Sequence, residues 1–358
     1  MPVPSRQRRS KGHYAAAGLA LLSAGLMVAS RPELASSGLR LADVALTAQD
    51  IVLDIVRHAE DAPPGNTRVT FAPSFPGTSI SAKGEQQAID TAQQLLAEIG
   101  VGKLAGIFSG PDTDAQQTSY ALADLMGIAH NDIQILNGLV EVDGGIYANQ
   151  PDESPAGLLY VLSSTLWTLA LPSLLPIPGA LDYNGLIVLD HYNQAIDAVY
   201  GDSVANPVIG DNGQINAAVF SSAASTMIWV MDTVKNPDIE VLLKGLFQVS
   251  SSGVPQPLPN AGIVQLTGNP QDGWTLVSWA GQDVPAQMGV LGDGFLLWRD
   301  LVLPPQLAVH DVIDATLSGD TSAMGSAVVD GLENIGSSIE QVPQLTFNVI
   351  DDVVTGHW

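Results

Sequence analysis

Residues 51–61 read Ile-Val-Leu-Asp-Ile-Val-Arg-His-Ala-Glu-Asp. The first six, apolar and largely β-branched but for Asp54, have the pattern of a buried strand. Arg57 and His58 leave that strand at its carboxyl end, the place where open α/β sheets build ligand sites. Imidazole can attack phosphorus and form a covalent phosphohistidine. Guanidinium binds phosphoryl oxygens through two parallel hydrogen bonds and offsets their charge.

Outward from this stretch, short strands and helices alternate. Ser81 caps a predicted helix over Ala82–Glu98, with Ala88, Ala92, Leu95 and Leu96 on one face. Leu104–Phe108 reads as a second buried strand, Ala115–Met126 as a second helix and Ile133–Leu136 as a third strand. Ala217–Ser221 returns to strand character before a helix around Thr226–Val234, and Ile263–Leu266 with Thr275–Trp279 forms a hairpin pattern. Alternation of this kind predicts an α/β sheet covered by helices on both faces.

Between Ser154 and Leu181 there is no charged residue, and Pro172, Pro176 and Pro178 interrupt the run. The prolines make it a poor membrane helix, so it reads as an apolar helical insertion, about 154–200, packed on the body in preference to a membrane contact. Residues beyond Leu301 read as a helical C-terminal extension, which gives a domain over 51–300 and an extension over 301–358.

The N-terminus has a different character. Arg6, Arg8, Arg9 and Lys11 precede an uncharged run from Tyr14 to Ala29, and no acidic residue appears before Glu33. A basic region, a short apolar region and small residues around Ala29 predict a secretory signal over 1–30, followed by a linker over 31–50. The expectation is export, to the medium or the cell envelope. Of 13 basic and 37 acidic residues in the chain, those four cations belong to the signal, which leaves a net −28 on the remainder. So acidic a protein lacks the basic footprint of a nucleic-acid binder. With no cysteine it has no disulfide, thiol nucleophile or thiolate metal site. At 46% hydrophobic and 14% charged residues it carries ample core material. No HExxH, EF-hand, Walker or dinucleotide motif occurs, so the motifs call for no metal and no cofactor.

Four ordered motifs resemble those of the histidine phosphatase superfamily, the phosphoglycerate-mutase-like proteins, over about Ile51 to Trp279. Arg57–His58–Ala59 resembles that family's Arg-His-Gly, with Ala for Gly. Ile80 to Ala88 (ISAKGEQQA) is similar to its Leu-Thr-x-x-Gly-x-x-Gln-Ala helix start, and Ser109 to Thr118 (SGPDTDAQQT) to its Ser-Ser-Pro-x-x-Arg-Ala-x-Gln-Thr. Leu139 to Gly145 (LVEVDGG) matches the stretch holding the family's proton donor. The resemblance implies a three-layer α/β/α sandwich of the phosphoglycerate-mutase-like type. His58 is then the nucleophile, Arg57 a phosphate ligand and Glu141 the proton donor.

The departures are as specific as the matches. Asp114 stands where the family has its second phosphate-binding arginine, and Ser222 where it has its second histidine. A carboxylate in the arginine's place repels a phosphate dianion, and a hydroxyl donates one hydrogen bond without charge. Cations to compensate are scarce, and Arg68 is the candidate replacement phosphate ligand. Two functions follow: an exported phosphomonoester hydrolase with a degenerate phosphate pocket, or a catalytically impaired binding protein on the same fold. The partner is a small phosphorylated molecule in the first case. In the second it is a hydrophobic molecule covered by the apolar segment.

Overall fold

The computed structural model describes residues 48–62, 72, 74–151, 154–247, 256–285 and 287–357. The expected signal over 1–30, nearly all of the linker 31–50, and Arg68 lie outside the described residues.

Seven strands form one sheet in the order β3-β2-β4-β1-β5-β6-β7: β1 (Ile51–Arg57), β2 (Gly106–Ser109), β3 (Gln134–Ile135), β4 (Asn216–Ser221), β5 (Ile263–Asn269), β6 (Gly273–Trp279) and β7 (Gln282–Asp283). β3, β2, β4 and β1 run parallel, and β5 to β7 continue antiparallel. Eight α-helices accompany it among the described residues: α1 (Ala82–Ile99), α2 (Thr113–Met126), α3 (Pro155–Thr168), α4 (Gly185–Ala205), α5 (Ala223–Thr233), α6 (Ile239–Phe247), α7 (Gly289–Ser318) and α8 (Thr321–Thr355).

The period of two in the central strands divides the core. Ile51, Leu53 and Ile55 of β1 and Ala217 and Val219 of β4 join Leu189, Tyr192, Ile196 and Val199 of α4, and Trp229 of α5, on one face. Val56, Ala218 and Phe220 meet Ala92, Leu95 and Ile99 of α1 and Leu122 of α2 on the other. Helix, sheet and helix thus form the three layers that the alternating pattern predicts. β3 is shorter than the predicted strand and both its residues are exposed, because it is an edge with a single partner.

Two boundaries differ from the sequence reading. The expected insertion over 154–200 includes α4, which is not an appendage: its apolar face covers β1 and belongs to the main core. The expected start of an extension at 301 falls inside α7, where Arg299 is buried and Leu303 joins the core. Arg299 Nη1 donates to Val234 O (2.7 Å) and Met231 O (3.2 Å), supplying donors at the carboxyl end of α5. One continuous helix therefore carries the chain from the sandwich into the α7–α8 hairpin. Composition alone marked the change in surroundings and not the continuity of the helix.

Candidate active site

The site forms where the parallel strands end. In the β1–β4 register Arg57 lies opposite Ser221, and His58 N–H donates to Ser221 O at 2.8 Å. The following residue on each strand, His58 and Ser222, is thereby set at the same edge. β2 ends alongside, with Gly110 N–H donating to Phe220 O at 2.8 Å. Ser221 Oγ reaches across to Leu139 O (2.8 Å) and docks the segment that carries Glu141.

Motif residues with no evident chemistry hold this edge in shape. Ser81 Oγ accepts Gly84 N–H (3.0 Å) as the α1 cap, and Ser81 N–H returns to Glu60 O (2.7 Å). Gln87 Oε1 takes the Glu60 N–H (2.9 Å), Gln117 Oε1 the Ile80 N–H (2.9 Å) and Thr118 Oγ1 the Ala59 N–H (2.9 Å). A Cβ on Gly84 would sit 2.3 Å from Glu60 O, so only glycine lets α1 start this close to the loop after β1.

His58 is buried, and its Nδ1 lies 2.9 Å from Ala59 O, 3.2 Å from Asp61 Oδ1 and 3.7 Å from Asp114 Oδ2. A carbonyl only accepts, so Nδ1 carries the proton when that first contact is a hydrogen bond. The neutral ring then keeps its lone pair on Nε2. Burial pulls the His58 pKa down, but Asp114 and then Asp61 outweigh it and raise it to about 9. Burial raises Asp114 to about 6, the adjacent His58 opposing it and Asp61 adding to it. Burial also pushes Asp61 up, yet His58 prevails and holds it below the ordinary carboxylate range.

Glu141 N–H donates to Asp112 Oδ2 (2.9 Å) and its Oε1 accepts from Val142 N–H (2.8 Å). Tyr160 of α3 donates to Val142 O (3.0 Å) and approaches Glu141 Oε1 at 3.4 Å. Burial raises the Glu141 pKa, against the pull of His58, its bond from Val142 and Ser222. A carboxyl with a raised pKa can hold a proton for a leaving group. Burial likewise raises Asp112, to about 6. Arg57 spends Nη1 on Leu258 O (2.6 Å), and its charge is felt by Glu141, Asp61 and Asp114. Ser222 is buried and its Oγ pairs with Ser225 Oγ at 2.8 Å.

The fold thus gathers Arg57, His58, Asp114, Glu141 and Ser222 at one edge of the sheet. Of the other described histidines, His191 pairs with Asp182 (3.1 Å), and His130 stacks on Tyr120 with 4.1 Å between ring centroids. Sequence reasoning missed Asp61, Asp112 and Tyr160. Asp61 and Asp112 stand inside the quoted motifs, where an acidic residue beside the histidine was a readable signal. Tyr160 is brought in by packing of α3 and had none. Although no motif called for a metal, His58, Asp61 and Asp114 each offer a donor atom within 4.8 Å of the others. Leu158, Leu159 and Leu162 of α3 are exposed. Among the described residues no helix is long and apolar enough to cross a membrane.

Fold and site together define an α/β protein with an Arg–His pair and a buried carboxyl group at the ends of its parallel strands. No family model matches the chain. It is similar to PE-PGRS family protein PE_PGRS11 of Mycobacterium tuberculosis, 38% identical over 314 residues, a match covering 86% of this chain and 50% of that protein. The chain therefore spans about half the length of this curated relative. Matching solved structures include a mycobacterial hydrolase at 15% identity, covering 66% of this chain and 100% of that one, TM-score 0.46. Mycobacterial glucosyl-3-phosphoglycerate phosphatase matches at 14% identity over 65% of this chain and 99% of its own, TM-score 0.45. Phosphoglycerate mutase from Bacillus anthracis matches at 14% identity over 66% and 94%, TM-score 0.36.

Proposed function

We propose that this chain is a histidine phosphatase superfamily member that hydrolyses a small phosphomonoester through a phosphohistidine. The observation that carries the reading is the convergence of Arg57, His58 and Glu141 at the strand ends, with Nδ1 of His58 against Ala59 O. Nε2 of the neutral ring attacks phosphorus as the ester oxygen departs, and Glu141 gives that oxygen its proton. Arg57 offsets charge on the phosphoryl oxygens. Water, deprotonated by the same Glu141, then attacks the phosphohistidine and releases phosphate and the free imidazole.

Asp114 supports a second reading, an impaired binding protein. It places a carboxylate where a phosphate dianion needs a cation, and it favours the protonated ring that cannot attack. Exposed leucines on α3 offer an apolar ligand a surface in that case.

The test is phosphate release from a broad phosphomonoester panel, run beside His58→Ala, with an acid-free quench to trap the adduct. Turnover lost in His58→Ala, with an acid-labile phosphoryl group on the parent chain, supports the first reading. A silent panel supports the second. We also propose export, on the strength of the basic-then-apolar N-terminus. Deleting residues 1–29 should then trap the protein in the cytoplasm, whereas an exported product still beginning at Met1 would mark a retained anchor.

A further inference from the structure

Asp61 and Asp114 meet at Nδ1 of His58, the ring nitrogen that does not attack in the proposed reaction, and their spacing matches a different ligand. His58 Nδ1 is 3.2 Å from Asp61 Oδ1 and 3.7 Å from Asp114 Oδ2. Two donors each about 2.1 Å from one ion at a tetrahedral angle are about 3.4 Å apart. The observed separations bracket that value. His58 and Asp114 are 7% and 4% exposed, so two of the three donors are already withdrawn from water.

A second observation points into the same space. Asp61 Oδ1 is buried and has no hydrogen-bond partner, although Nδ1 lies near, because the Nδ1 proton is directed at Ala59 O. Asp114 Oδ1 is taken by Ala115 N–H (2.7 Å), while Oδ2 lies beyond hydrogen-bond reach of Nδ1. Arg57, the cation nearest in charge, commits Nη1 to Leu258 O. Two carboxylates and an imidazole thus converge on one space, which is the arrangement a metal ion satisfies.

We propose that His58 Nδ1, Asp61 and Asp114 bind one divalent cation of the zinc class, leaving a further coordination position for water or an anion. Mixed imidazole and carboxylate donors suit zinc over magnesium or calcium, which take oxygen ligands. When the doubly protonated ring binds, the Nδ1 proton leaves to solvent, the metal takes the Nδ1 lone pair, and the second ring proton stays on Nε2. A ring in that state cannot attack phosphorus, so metal-loaded and phosphorylated His58 exclude each other. That exclusion rests on the phosphohistidine reading; the metal site does not.

Cobalt(II) titration of the chelator-stripped full chain tests the site, because tetrahedral cobalt shows intense visible bands and the aquo ion does not. The expected result is one cobalt per chain, displaced by zinc. Asp61→Asn and Asp114→Asn should each weaken binding about tenfold or more, and the exposed control Asp132→Asn should leave it unchanged. His58→Gln, which removes the nitrogen donor, should change the band pattern. Should Asp114→Asn fail to fold by circular dichroism, the more exposed Asp61 and His58→Gln carry the decision. Binding that is equal in all variants, or only the aquo spectrum, overturns the site. A chain that binds cobalt but never forms phosphohistidine keeps the site and removes the phosphatase reading. A chain that forms phosphohistidine and binds no cobalt does the reverse.

Discussion

At the scale of single residues, Asp114 acts on His58. Its carboxylate is 3.7 Å from Nδ1 and is the largest influence raising the ring's pKa, to about 9. The neutral ring that the proposed attack on phosphorus requires therefore forms only as pH rises toward that value. With chelator present, kcat/KM for an activated aryl phosphate should climb with pH up to about 9. In Asp114→Asn the rising limb should move to lower pH, each unit being worth about tenfold more activity at pH 7. The measurement is a pair of pH–rate profiles, and coincident limbs would show that Asp114 does not control the ring. Of this site, Arg57, His58, Asp114, Glu141 and Ser222 were legible as motif positions. The approach of Asp61 to within 3.2 Å of His58 was not, because side-chain direction after a strand end depends on how the loop is held.

The elements carry two further consequences. Asp54 lies at the centre of β1 with no solvent exposure, bonded by Gln265 (3.0 Å). Burial raises its pKa from 3.8 to about 7, with Gln265 opposing and Glu98 assisting. The unfolded chain releases this proton near pH 4 and the folded chain near 7, so stability falls as pH rises between those values. Above that window the loss is about 4 kcal/mol at most. Asp54→Asn should flatten this decline and raise Tm at pH 8 more than at pH 4, which thermal unfolding across pH will show. Gly84 tests the α1 cap. A Cβ 2.3 Å from Glu60 O must push α1 off the β1 loop, and Gly84→Ala should destabilise by about 1–3 kcal/mol in denaturant titration. An unchanged midpoint would mean the loop yields freely. Periodicity revealed α1 and α2 in the sequence because each has one apolar face. That α4, within the expected insertion, covers β1 was not legible, because a helix rich in Leu, Ile and Val does not state which strands it packs against.

For the whole molecule, the decisive quantity is charge. A net −24 on 358 residues repels itself in the folded state. Salt shortens the reach of that repulsion, from a Debye length of about 30 Å at 0.01 M to about 8 Å at 0.15 M. Thermal midpoints should therefore rise with sodium chloride over this range, and a fall would mean that ion pairs such as Lys83–Glu60 dominate. The described charges near His58 are one arginine and four carboxyl groups, Asp61, Asp112, Asp114 and Glu141.

The sequence by itself determined the strand ending in Arg57–His58, the alternating α/β plan, the hairpin of β5 and β6, and the residue types at 114 and 222. Each is a local pattern: a buried run, a helical face, a turn, or a residue type inside a motif. Only the tertiary structure decided that β4 lies beside β1, so that His58 and Ser222 share an edge. It alone ran α7 unbroken past residue 301 and brought Tyr160 to Glu141. It also turned Asp61 and Asp114 toward one imidazole nitrogen. These are contacts between residues far apart in the chain, or set by how a loop is tied, and they follow from which surfaces bury each other.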